Sequence, residues 1–100
     1  MNHQEQFEAF EAFTSKMHKT LISKSNDYAN NDRLSNFKMA GQICGIKPEI
    51  NCLSIIATKV ARLGVLLNSK GEPSNESIQD SVLDLANYSV LLHMILTEKK

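Results

Sequence analysis

ESIQDSVLDLANYSVLLHMIL, residues 76–96, decides how the chain folds. At about 100° per residue the stretch reads as one long helix, and Asp80, Asp84 and Asn87 fall in a single narrow stripe. Met94, Leu83 and Val90 lie to one side of that stripe, and Ile95, Tyr88 and Leu92 to the other. Leu91, one turn further along the stripe itself, is again apolar. A helix that is apolar nearly all round is a buried helix. Two carboxylates in such a surface must meet a cation, a metal or a donor-rich ligand, because unpaired buried charge costs too much to keep.

Working outward, the preceding segment from Pro48 to about Asn68 is a second long helix. It opens on Lys47-Pro48-Glu49, with proline in the first turn and an acid behind it. It stops before Ser69-Lys70-Gly71-Glu72-Pro73, a glycine-then-proline signal. Ile55, Ile56, Val60, Leu63, Leu66 and Leu67 form its apolar face, with Lys59 in the middle and Arg62 at the edge. A long lysine can snorkel to water from there. Alternatively, Lys59 and Arg62 point at something anionic within the bundle.

Upstream lies KSNDYANNDRLSNF, residues 24–37, whose Asn, Asp and Ser favour turns and caps. It reads as a polar loop leading into a short helix near Ser35 to Cys44. It carries the rings of Tyr28 and Phe37, the carboxylates of Asp27 and Asp32, and the two-sided amide of Asn36. The rings either plug the core or offer a stacking surface. The chain starts with a helix from about Glu5 to Ser23, capped by Asn2 with Glu5 three residues on. Phe7, Phe10, Met17 and Leu21 make its expected buried stripe, with Phe13 at the margin. Glu5, Glu8 and Glu11 suit the positive end of that helix better than a metal.

No segment alternates as a strand does, and no repeat or linker divides the chain. The expectation is one all-α domain over residues 1–100, a bundle of three long helices and a shorter one. Eleven basic and eleven acidic side chains balance, which removes the electrostatic case for bulk nucleic acid or an anionic membrane surface. No uninterrupted apolar run reaches the roughly 18 residues of a membrane span, and MNHQEQFEAFEAF lacks the basic and apolar regions of a signal peptide. Cys44 and Cys52 have neither CxxC spacing nor a histidine neighbour, so they read as reduced packing residues in a cytoplasmic protein. His18 and His93 read as packed or half-exposed residues without a chemical role.

Two explanations fit the polar interior. Lys59 and Arg62 pair with Asp80 and Asp84 as a buried ion network, which stabilises weakly because desolvation offsets the Coulomb gain. Or they form a site, with cations for phosphate oxygens and carboxylates for Mg²⁺, an ion that takes a few carboxylates plus substrate phosphates. A small chain has little reason to bury four charges and Asn87 for stability alone, which favours the site.

The run ESIQDSVLDLANYSVLL, the Lys59-Val-Ala-Arg62 spacing and the Asn26-Asp27-Tyr28 to Asn36-Phe37 loop resemble the small, often phage-encoded branch of the MazG-like proteins. These are all-α nucleoside triphosphate pyrophosphohydrolases, and the branch includes nucleotide-modification-associated domains. The resemblance covers roughly residues 24 to 95. It implies hydrolysis of a (deoxy)nucleoside triphosphate to monophosphate and pyrophosphate, in a homodimer or homotetramer with sites near the subunit interfaces. On that reading Asp80 and Asp84, helped by Asp27, hold Mg²⁺. Lys59 and Arg62 neutralise phosphate charge, Asn87 and Asn36 hydrogen-bond sugar or base, and Tyr28, Phe37 and Tyr88 complete the substrate pocket. The chain departs from the family pattern where Lys59 and Arg62 replace glutamates of an E-E-x-x-E helix, and where Ser81 stands for the glutamate of E-x-x-D. Those departures suit the alternative, a protein that binds or sequesters a nucleotide without cleaving it.

Overall fold

The computed structural model describes residues 1–25, 32, 34–69 and 75–98, with the side chains of 24, 25, 75 and 76 outside the description. The described residues form four helices and no strand, so the protein is all-α. They are α1 (His3–Ser25), α2 (Ser35–Cys44), α3 (Pro48–Asn68) and α4 (Asn75–Thr97). The chain divides into two compact units, Met1–Asn31 and Asp32–Lys100.

The first unit is built on α1. Asn2 caps it: the Glu5 N–H donates to Asn2 Oδ1 at 2.8 Å, and the Gln6 N–H to the Asn2 carbonyl at 3.0 Å. Such a cap contributes about 1 kcal/mol by satisfying a donor that the helix leaves unpaired. Phe7 and Phe10, expected in a buried stripe, are 58% and 66% exposed, while Phe13, Met17 and Leu21 are half-buried. Helical spacing fixes which residues share a face, but what covers that face is a tertiary matter.

The second unit opens with Asp32, whose Oδ1 accepts the Leu34 N–H at 3.0 Å and whose carbonyl accepts the Ser35 N–H at 3.1 Å. This is the turn chemistry that makes aspartate a good residue before a helix. α2 ends in a Schellman motif. Gly45 takes φ of 72°, its N–H reaches the Gln42 carbonyl at 3.3 Å, and the Ile46 N–H reaches the Gly41 carbonyl at 2.8 Å. The turn folds back so closely that a Cβ on Gly41 would stand 2.7 Å from the Ile46 carbonyl oxygen. After one extended residue, Lys47, Pro48 starts α3. Asn51 Nδ2 donates to the Phe37 carbonyl at 3.4 Å, tying α3 back to α2.

α3 and α4 are antiparallel neighbours: Cys52 meets Tyr88 early in α3, and Lys59 meets Asp84 later in α3 but earlier in α4. The core lies where α2, α3 and α4 converge. Leu34, Phe37 and Cys52 are buried there, with Ile55, Ile56, Tyr88, Leu91, Leu92 and Ile95 packed against them. Phe37 meets Tyr88 edge-on, at 6.3 Å between centroids and 89° between planes. The Cys52 thiol, fully enclosed, approaches the Tyr88 carbonyl at 3.6 Å, and burial pushes its pKa up.

The outside of α3 differs from the sequence expectation. Ile55, Ile56, Leu63 and Leu66 turn inward, but Val60 and Leu67, assigned to the same face, are 52% and 67% exposed. By length and composition α3 is apolar enough to cross a membrane, although it carries Glu49, Lys59 and Arg62.

Candidate functional site

The antiparallel pairing of α3 and α4 sets one flank of each helix against the other, and their polar residues converge on one open hollow. Lys59 and Arg62 reach it from α3, three residues apart and so on one side of the helix. Ser77, Asp80, Ser81 and Asp84 line it from α4, at successive spacings of three, one and three that keep them on one stripe. The hollow encloses about 250 Å³.

Lys59 organises its floor. Its Nζ lies 3.4 Å from Asp84 Oδ2 and 5.9 Å from the centroid of the Tyr88 ring. The pair is longer than a tight charge-assisted hydrogen bond, which runs to about 2.9 Å. Both side chains keep a little over a quarter of their surface in water, so neither the buried network nor full snorkelling describes them. The ammonium stands over an aromatic face, a contact contributing about 0.5–1 kcal/mol. Ser81 is buried, and its hydroxyl donates to the Ser77 carbonyl at 2.9 Å.

One turn below Asp84, Asn87 is only 6% exposed, and its Nδ2 is buried without a hydrogen-bond partner. An amide left so costs about 1–3 kcal/mol in desolvation.

The structure therefore brings together Lys59, Arg62, Asp80 and Asp84; Asn87 and Tyr88 follow along α4 but do not line the hollow. Asn36 is exposed at the start of α2 and does not line the hollow. Phe37 is 5% exposed with its ring against Tyr88, which makes it core and leaves little ring surface for a base. Tyr88 is half-buried between Phe37 and Lys59, so it supports the lysine. Asp27 and Tyr28 lie outside the described residues. Ser77 and Ser81 are further wall residues, Ser81 being the one that stands where the family pattern has a glutamate. Their spacing with Asp80 and Asp84 carried the signal.

Among the described residues no three His, Cys, Asp or Glu side chains gather as a metal cage. Asp80 and Asp84 alone fit an ion that arrives with phosphate oxygens and keeps much of its water, as Mg²⁺ does. They do not make a resident site.

A second polar assembly lies at the other end of the unit. Lys38 Nζ contacts Asp32 Oδ2 at 2.6 Å and Glu98 Oε1 at 2.8 Å, joining the approach to α2 with the residue that follows α4. The Lys38 hydrogen bond, then the Leu34 N–H, holds the Asp32 carboxyl below its ordinary range; Asp32, then Glu98, raises the Lys38 ammonium.

Compared with known protein families, with curated proteins and with solved structures, the chain finds no match.

Proposed function

We propose that this protein binds a (deoxy)nucleoside triphosphate at the α3–α4 hollow and hydrolyses it, with Mg²⁺, to monophosphate and pyrophosphate. The observation that carries this reading is the shared lining: two cations from one helix face two carboxylates from the other across one open space. Lys59 and Arg62 bind phosphate oxygens and offset the charge that develops on them as the phosphoanhydride breaks. Asp80 and Asp84 would hold the Mg²⁺, which when bound neutralises phosphate charge. An incoming phosphate exchanges with Asp84 at the Lys59 ammonium, where the present ion pair is 3.4 Å long and both groups are partly in water. Tyr88 keeps Lys59 in place meanwhile. The buried Asn87 amide holds a donor in reserve for sugar or base. The resemblance adds a homodimer or homotetramer as the working form.

The second reading is capture without cleavage, with ligand charge countered by Lys59 and Arg62. It is favoured by the pair of carboxylates standing without a third among the described residues.

A thermal-shift and product screen over the common NTPs and dNTPs, each with Mg²⁺ and with chelator, separates the two. Pyrophosphate release that needs Mg²⁺ and falls roughly tenfold or more in a folded Asp84→Ala protein is the expected result. Stabilisation that persists in chelator with no product makes it a capture protein. An Asp84→Ala protein with full affinity and turnover removes the hollow from the argument.

A further inference from the structure

The hollow between α3 and α4 is lined for charge and is small. Each of its six side chains, Lys59, Arg62, Ser77, Asp80, Ser81 and Asp84, ends in a charged group or a hydroxyl. Sites that enclose a whole small molecule are mostly apolar and run to about 300–1,000 Å³. This one encloses about 250 Å³, and among the described residues no ring and no apolar side chain lines it. The Tyr88 ring lies under the Lys59 ammonium and meets Phe37 edge-on, so it serves the lysine and the core. A larger cavity, about 560 Å³ beside Lys38, Ile46 and Glu98, shares no residue with the hollow and does not extend it.

We propose that the hollow reads a triphosphate chain and leaves the nucleoside outside, so that inorganic tripolyphosphate takes the nucleotide's place and shares its fate. This rests on the phosphate-binding reading of the hollow and adds a ligand with neither sugar nor base. Lys59 and Arg62 stand about 4.5 Å apart along the α3 axis, so their long side chains reach neighbouring phosphoryl groups of one chain. The Arg62 guanidinium is a planar fork that meets two phosphate oxygens at once, while the Lys59 ammonium acts as a point charge. Two cations and a Mg²⁺ ion against two carboxylates leave the loaded hollow net positive, which suits a polyanion and does nothing for an uncharged nucleoside. Asn87 lies outside the hollow, where it adds a nucleoside contact and takes no part in the grip on phosphate.

The chemistry needs no nucleoside either. In a nucleoside triphosphate the water oxygen bonds to the α-phosphorus, the bond from that phosphorus to the bridging oxygen breaks, and pyrophosphate leaves with the electron pair. In tripolyphosphate the same attack at a terminal phosphorus releases the same pyrophosphate. Orthophosphate replaces the monophosphate, and the proton from water passes to solvent. A terminal phosphoryl carries more negative charge than an esterified one and repels the attacking oxygen more, a charge that Lys59 and Arg62 offset. Turnover is therefore expected to be slower than with a nucleotide. Affinity is expected within about tenfold of it, the difference that one hydrogen bond to sugar or base makes.

Calorimetric titration of the full chain with tripolyphosphate and with each dNTP, alone and in competition, tests this, with products read by ion chromatography. Mg²⁺ is kept in excess because tripolyphosphate itself binds the ion. Tripolyphosphate is expected to displace every dNTP and to be cleaved wherever they are. Arg62→Gln alters an exposed side chain, and Lys59→Met a partly exposed one. Each, with helicity checked by circular dichroism, is expected to weaken both kinds of ligand by a like factor. A dNTP that is bound and cleaved while tripolyphosphate is not overturns the proposal and leaves the nucleotide reading intact. Tripolyphosphate that binds equally well to both variants also overturns it. So does a spread of more than about a hundredfold among the bases, the mark of a site built to read them. Tripolyphosphate bound and cleaved with every dNTP inert supports the proposal and overturns the nucleotide reading. Binding of neither overturns both.

Discussion

Asn87 sets stability against function at a single side chain. Its amide is buried and the Nδ2 unpartnered, so an apolar residue of similar size removes a desolvation cost. Asn87→Leu is expected to raise stability by about 1 kcal/mol in denaturant titration while weakening nucleotide affinity several-fold. A variant that gains stability and keeps full affinity would separate Asn87 from the site. The cysteines give a second residue-scale expectation. Cys44 is exposed and Cys52 fully enclosed, with its thiol pKa raised by burial. A thiolate-specific reagent should therefore label one thiol rapidly in the native protein and the second only on unfolding. Much of this scale was legible in the sequence. The Asp80–Asp84–Asn87 stripe follows from helical geometry, and Asp84 within it meets Lys59. The place of Phe37 did not follow, because an aromatic residue in a polar stretch is equally suited to plug a core or to meet a base. Only α4 lying across it, through Tyr88, decides for the core.

Between elements, the Asp32–Lys38–Glu98 cluster joins the approach to α2 with the end of α4. Asp32 titrates below its ordinary 3.8 when folded, so its contribution is present above that value and disappears as pH falls through the lowered one. Lys38 titrates above its ordinary 10.5, so its contribution is full below that value and is lost as pH rises through the raised one. The melting-temperature difference between wild type and Lys38→Met should be steady from about pH 5 to 9 and shrink at both extremes. A difference that is flat across the whole range would remove the cluster as its cause. The turn between α2 and α3 is stiffer. Gly41→Ala sets a methyl against the Ile46 carbonyl, a backbone atom that cannot swing aside, and is expected to cost about 1–3 kcal/mol in chemical denaturation. The sequence located these elements closely, since proline, glycine and Asn-rich punctuation is local chemistry: α2 and α3 begin and end where that punctuation places them. It misjudged Phe7, Phe10, Val60 and Leu67, because periodicity records that a face is apolar and is silent on whether its own chain covers it.

At the scale of the whole molecule, the homodimer or homotetramer proposed as the working form makes thermal stability a function of protein concentration. Melting temperature should rise by a few degrees over a hundredfold increase in concentration. Lys59 and Arg62 on one side of α3 and the exposed Leu53, Val60 and Leu67 on the other divide the helix into two surfaces that can be altered separately. The protein has no tryptophan and two tyrosines, and one of these, Tyr88, sits beneath the Lys59 ammonium with its edge contact to Phe37. That stack is a built-in optical probe. Any anion that draws the lysine off the ring alters the field on the phenol, so tyrosine emission and near-ultraviolet dichroism register occupancy of the hollow in unlabelled protein, before a single bond is broken.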